Sequence, residues 1–268
     1  MTSNELRARR LAESFRAEHG LGDLPIKDVF ELVHVTLEVD VLSMDAGEGE
    51  HGLSMLDGNT SRAVIVVATT SHPMRQRSSV AHEIGHVIAG DLEKPESLVP
   101  GERNRAEICA DAFARHLLVP LDALRRQYPP SAEKNLGLRE LSDVVQEFEV
   151  SPQVAAIQLR EVKAITRETC EEWSRSSAAQ LAANFGWLSQ YRSLVADSER
   201  PRAPQRLMAR AVDGYRHGVL GVAELAAWYD QDPGELEEHL GLPDLIPADD
   251  STEIDDGDLF PGLAGPGA

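Results

Sequence analysis

The sequence predicts an α+β protein, mostly helical, with a small antiparallel sheet packed on a helical core and a helical region after it. Helical apolar periodicity dominates after Pro73, while strand-like alternation is confined to residues 35–68. Aromatics are only 5% of the chain and alanine is abundant, which suits helices packed through small residues. The 268 residues, 42% hydrophobic, can bury one large core or two small ones.

The elements follow in order. Residues 3–19 carry Leu6, Leu11 and Phe15 among charges, giving an amphipathic helix that Gly20 stops. Pro25 opens a short helix with Ile26, Val29, Phe30 and Val33 on its buried side. Residues 35–42 alternate as a strand, and the Gly- and acid-rich stretch 45–52 is a loop. Residues 53–56 and 62–68 flank Asp57-Gly58-Asn59 and predict a hairpin around a tight turn. Helices are expected at 75–89, 103–118, 121–127, 138–148 and 152–166, then over 170–195 with an interruption near Gly186. Prolines in 200–204 mark a boundary, beyond which 207–215 and 222–228 form two short helices. From Gly241 onward Pro, Gly and Asp dominate, and a disordered acidic tail is expected.

Charge and composition exclude several classes of function. Twenty-six basic residues against 45 acidic give a net charge of −19, which repels phosphate backbones and argues against direct nucleic-acid binding. Seven acids lie within 244–258 and no Lys or Arg follows Arg216, so the first 216 residues are much closer to balance. Cys109 and Cys170 have no paired spacing, which excludes a disulfide framework and points to a reducing compartment. The longest apolar run, 63–68, is too short to span a bilayer, and residues 1–10 form no signal peptide. A cytoplasmic protein with no membrane partner is expected; nothing in the sequence sets its oligomeric state.

The chemistry concentrates in His82-Glu83-Ile84-Gly85-His86. Residues four apart share a helix face, so His82 and His86 can present two imidazoles to one zinc ion. Glu83 sits about 100° round the helix from His82, placed to take a proton from water as general base. Val80, Ile84, Val87 and Ile88 make the rest of the helix apolar, and a metal compensates the burial of polar groups there. An HExxHxxGxxH arrangement would need its third ligand at position 92, which is Leu92, so that pattern fails. Glu107 and Asp111, four apart on the next helix, supply an alternative: a ligand, and an acid that accepts the free N–H of a ligating histidine. Gly85 and Ala89 on one helix and Ala110, Ala114 and Leu118 on the other would allow close packing. The competing reading pairs Glu107 with Arg103 and Asp111 with Arg115 as surface ion pairs. Cys109 faces away from Glu107 and belongs to the core.

These segments resemble the ImmA/IrrE family of zinc-dependent peptidases. The carriers are Arg75-Gln76-Arg77-Ser78-Ser79-Val80-Ala81-His82-Glu83-Ile84-Gly85-His86 and Glu107-x-x-Ala110-Asp111-x-Phe113-Ala114-x-x-Leu117-Leu118-Val119-Pro120. They are similar to the family's arginine-led HELGH helix and its ExxA(N/D)xFAxxLLxP segment, with Ile84 in place of the usual leucine. The resemblance covers about residues 1–165 and leaves 170–268 unassigned. It implies a zincin-like fold, His82, His86 and Glu107 as zinc ligands, Glu83 as general base, and a helix-turn-helix repressor of the XRE type as the protein substrate. The expected division is a metallopeptidase domain at 1–128, a helical region with a helix-turn-helix-like hairpin at 129–199, a small helical region at 200–240 and the tail at 241–268.

Other readings compete with that one. Residues 141–161 have helix-turn-helix spacing, so the chain could itself bind DNA, although residues 151–161 carry one Arg and no Lys. A catalytically silent interaction protein is a further alternative. His72 and His51 are candidates for stabilising an oxyanion, against a plain role as surface loop residues. The 62–68 hairpin could offer an edge to an extended substrate. Arg200, Arg202, Arg206 and Arg210 form a modest basic cluster, best explained as a solvated helix face.

Overall fold

A computed structural model of the chain describes residues 3–37, 39–46, 52–56, 62–93, 105–129, 136–229, 231–241 and 243. His51, the Asp57-Gly58-Asn59 turn and the acidic tail from 244 lie outside the described residues. The chain divides into two compact units, residues 1–56 with 63–202 and residues 57–62 with 203–268. Thirteen α-helices and one three-stranded sheet are present among the described residues, an α+β fold dominated by helix.

In the first unit, α1 (Ser3–Glu18) buries Ala8, Ala12 and Phe15. The buried Arg16 guanidinium donates to the carbonyls of Gly22, Leu24 and Leu117, tying the loop after α1 to the distant chain. Helix α2 (Val29–Leu37) starts at Asp28, whose carboxylate accepts from the backbone N–H of Phe30 and Glu31, and not at Pro25. It buries Val29, Leu32 and Val33 at helical spacing. That cap and stripe override the strand alternation expected from residue 35, and the first strand, β1, is Asp40–Met44.

Strands β2 (Gly52–Leu56) and β3 (Ala63–Ala68) pair antiparallel, but the sheet is mixed: its order is β1-β3-β2 and β1 runs parallel to β3. The expectation of a small antiparallel sheet is corrected in that one pair. A tight hairpin fixes only its own two strands; β1 reaches the far side of β3, and its sense is set by that placement. The outer edge of β1 is covered where Ser43 and Arg202 exchange backbone hydrogen bonds of 3.0 and 2.9 Å. The outer edge of β2 has no strand partner among the described residues.

One sheet face, carrying Val41, Ser43, Ile65 and Val67, packs into the interior. Register places Gly52 beside Val67 and Ser54 beside Ile65 on that same face. Against it lies α3 (Pro73–Ala89), started by a proline in its first turn and ended by Gly90 in the left-handed conformation at φ 71°. Helix α4 (Arg105–Leu118) packs on α3 where Gly85 has no side chain; a Cβ there would sit 3.1 Å from the Ala110 Cα.

Helices α5 (Leu121–Gln127) and α6 (Leu138–Phe148) have the expected bounds. After α6 the chain turns through Glu149 at φ 52°, and Ser151 caps α7 (Pro152–Glu161). Buried Arg77 ties this turn to the loop before α2, pairing with Glu149 at 3.2 Å and donating to the carbonyls of Ile26 and Lys27. Helix α7 is shorter than expected because Lys163 turns left-handed at φ 62° and Thr166 caps α8 (Arg167–Trp173). The expected helix over 170–195 becomes the end of α8, then α9 (Ala178–Phe185), stopped by Gly186, and α10 (Leu188–Ser198).

The second unit holds α11 (Gln205–Arg216), α12 (Val222–Tyr229) and α13 (Pro233–Leu240) around their own core of Met208, Ala211, Tyr215, Leu225, Ala226 and Leu236. Helix α13 was not anticipated, though Asp232-Pro233 is a start signal: Asp232 accepts from the N–H groups of Gly234 and Glu235.

Candidate metal centre

On α3, His82, Glu83 and His86 point along one side of a cleft whose opposite wall is α4. His82 and His86 approach each other through their Nε2 atoms at 3.1 Å. Glu107 reaches both, with Oε2 3.2 Å from His82 Nε2 and Oε1 3.4 Å from His86 Nε2. Among the described residues this trio forms the group of donors whose atoms converge within 4.8 Å. Bonds of 2.0–2.1 Å at tetrahedral angles place donor atoms about 3.3 Å apart, so the two imidazole nitrogens suit one zinc ion, with a Glu107 oxygen at a similar distance from each. Two imidazoles and a carboxylate are also its usual catalytic donors, and the set is one short of four.

Each imidazole has a carboxylate behind it. Asp111 Oδ1 lies 2.9 Å from His82 Nδ1, so Nδ1 carries the hydrogen and Nε2 is left with its lone pair toward the cleft. Asp91 Oδ2 lies 3.4 Å from His86 Nδ1, a carboxylate near the other nitrogen of that ring. Burial opposes a charge on His82, but the hydrogen bond to Asp111 and the charges of Glu83, Asp111 and Glu107 outweigh it and raise its pKa above the ordinary value. The cluster attracts cations.

Glu83 is not among the converging donors. Its side chain is 6% exposed, and Ser54 Oγ donates to its Oε2 at 2.6 Å. A Cβ on Gly52 would stand 3.0 Å from Glu83 Oε1, so the bare backbone of β2 makes room for the carboxylate. Helix α3 thus offers two histidines to one position and a glutamate, steadied by the sheet, to the space beside it.

Sequence reasoning missed Asp91, Ser54 and Gly52. Asp91 follows the glycine that ends α3, where helical spacing no longer guides; Ser54 and Gly52 meet Glu83 only through strand register. Of the oxyanion candidates, His72 sits exposed at the N-terminus of α3, roughly 15 Å along the helix from His82. Cys109 is buried, and burial raises its thiol pKa. Arg202 lies 3.6 Å from Asp28 and stacks over Phe30, while Arg206 and Arg210 belong to α11. The face of α7 is committed to the interior, with Ala155, Ala156, Gln158 and Leu159 buried.

The cleft holds about 1950 Å³, well above the 300–1,000 Å³ of a small-molecule pocket, and its lining runs along α3 from Arg75 to Gly90. No helix among the described residues is long and apolar enough to cross a membrane. Comparison with curated proteins gives no match. Residues 36–160 match the Peptidase_M78 family model, described as the IrrE N-terminal-like domain, over the segment that holds both His82–His86 and Glu107–Pro120.

Proposed function

We propose that the protein is a zinc-dependent endopeptidase that makes a site-specific cut in a helix-turn-helix repressor of the XRE type and so releases its target genes. The carrying observation is the spacing of the His82, His86 and Glu107 donor atoms, 3.1 to 3.4 Å, with the Glu83 carboxylate held beside them. His82, His86 and Glu107 would hold the zinc. When bound, the metal supplies Lewis acidity toward the scissile carbonyl and acidifies water.

The chain's own residues do the rest. Asp111 and Asp91 orient the two imidazoles. Glu83 accepts a proton from the attacking water and delivers it to the departing amine nitrogen, with Ser54 fixing the direction of its carboxylate. The outer edge of β2, beside Glu83 and without a strand partner among the described residues, would offer backbone groups to an extended substrate segment. The buried face of α7 favours this reading over DNA binding through 141–161. A surface of net charge −19 complements a basic DNA-binding partner.

The test is to incubate zinc-loaded protein with the repressor encoded nearest its gene and measure intact masses. Two fragments summing to the repressor plus one water are expected. An uncut repressor, with zinc bound, would remove the substrate assignment.

A further inference from the structure

A sheet with one face on a core and the other in water alternates apolar residues inside with polar ones outside. This sheet does not. Its inner face carries Val41, Ser43, Ile65 and Val67. Register brings Leu42 and Met44 of β1, Leu53 and Met55 of β2, and Val64 and Val66 of β3 together on the opposite face, turned away from α3. Asp40, beside Val64, is the one polar strand position on that outer face among the described residues. Leu42, Val64 and Val66 are half-buried yet pack against neither hydrophobic core. Met44, Leu53 and Met55 are 48%, 54% and 48% exposed.

The cleft reaches this face: Met44, Leu53, Val66 and Ala68 line it together with His82 and Glu83. Asp45 shares that lining, and its carboxylate accepts from the Thr69 hydroxyl at 2.5 Å. One concave surface thus runs from the donors past the start of β2 onto the apolar face. Three strands about 4.8 Å apart and about five residues long give a face of roughly 14 by 16 Å, about 230 Å². A stable dimer takes about 800 Å² from each partner, so this face alone is too small to hold a second copy. It is large enough to extend contacts that a partner already makes in the cleft.

Resting on the peptidase reading above, we propose that the outer sheet face is a docking surface for the protein substrate, covered by apolar side chains of the folded repressor away from the scissile bond. The segment to be cut enters the cleft, and the rest of the same molecule seats on Met44, Leu53 and Met55. Two unbranched methionines adapt to the shape set against them, and burying this face adds affinity that a short peptide cannot reach.

The test uses the zinc-loaded full-length protein and the repressor encoded nearest its gene. Met44 and Met55 are changed together to glutamine; both are about half exposed, so melting temperature and zinc content should hold. Calorimetry in the non-cutting Glu83→Gln background should show repressor binding about ten- to a hundredfold weaker in the Met44→Gln/Met55→Gln variant, with a less negative heat-capacity change. With Glu83 intact, KM for whole repressor should rise by the same factor, while kcat and cleavage of a short peptide spanning the cut stay unchanged. If the repressor is cut but its affinity and KM do not move, the docking surface is overturned and the peptidase reading stands. If a dimer seen by sedimentation dissociates in the variant while repressor affinity holds, the face belongs to a second copy and the proposal fails. If the wild-type protein neither binds nor cuts the repressor, the substrate reading fails first and the docking surface with it.

Discussion

At the scale of single residues, the proposed centre divides labour between groups that would hold a metal and groups that would aim them. Glu83 has no donor role, so Glu83→Gln should retain zinc and fold yet lose turnover of a validated substrate, because an amide cannot accept the water's proton. Wild-type rates in that variant would remove the general-base assignment. Asp111 and Asp91 act on the imidazoles from behind; Asp111→Ala and Asp91→Ala should each weaken zinc by about 10–100-fold in a competition titration. The shorter contact, 2.9 against 3.4 Å, makes Asp111 the costlier loss. A further cluster sets acid stability. The hydrogen bond from His116, against the cost of burial and with the help of Arg115, lowers the Glu5 pKa to about 2. A depressed carboxylate stabilises the fold above its unfolded pKa near 4.5, and that contribution is lost as pH falls from there toward 2. Glu5→Gln should cost on the order of 2 kcal/mol at pH 7 and flatten the decline of stability between pH 4.5 and 2. Denaturant titrations across that range measure it; parallel pH curves for the two proteins would show the pair contributes nothing.

At the scale of elements, the α3–α4 contact decides whether Glu107 can reach the histidines. Gly85 is the close approach: beyond the 3.1 Å to the Ala110 Cα, its absent Cβ would be 3.2 Å from the Phe113 ring. Backbone cannot move aside as a flexible side chain can, so Gly85→Val should destabilise by about 1–3 kcal/mol and loosen zinc by spreading the donors. Thermal unfolding with and without zinc reads both effects, and an unchanged melting point would deny the tight contact. Much of this was legible in the sequence. The His82, His86, Glu107 and Asp111 spacings carry helical periodicity on both helices, and small residues at Gly85 and Ala110 announced close packing. Helices α5 and α6 were bounded by turn signals that act locally. What was not legible is what tertiary structure sets. The sense of β1 depends on which side of β3 it occupies, and Ser54 meets Glu83 through strand register. The early stop of α7 rests on a left-handed Lys163, a conformation no residue type there advertises.

At the scale of the whole molecule, the described residues form two cores that share no residue. The first runs from Ala8 to Trp187 and includes the helices that carry the donors. The second is confined to residues between Met208 and Leu236. The candidate metal centre and strand β2 lie in the first unit, and β1's outer edge is closed by Arg202, the last residue of that unit. A chain ending after Ala203 therefore keeps every residue of the first core and every donor. Most of the excess acid goes with the removed part, since no Lys or Arg follows Arg216. The truncated protein should bind about one zinc per chain with unchanged affinity and unfold in one cooperative transition. Its association with a basic protein partner should become slower and less dependent on salt, because the acids that steer encounter are fewer. Zinc titration, calorimetric unfolding and stopped-flow association at low and high salt separate these effects. Loss of zinc affinity on truncation would show that residues 204–268 complete the centre, and identical salt slopes would show that the acidic segment takes no part in encounter.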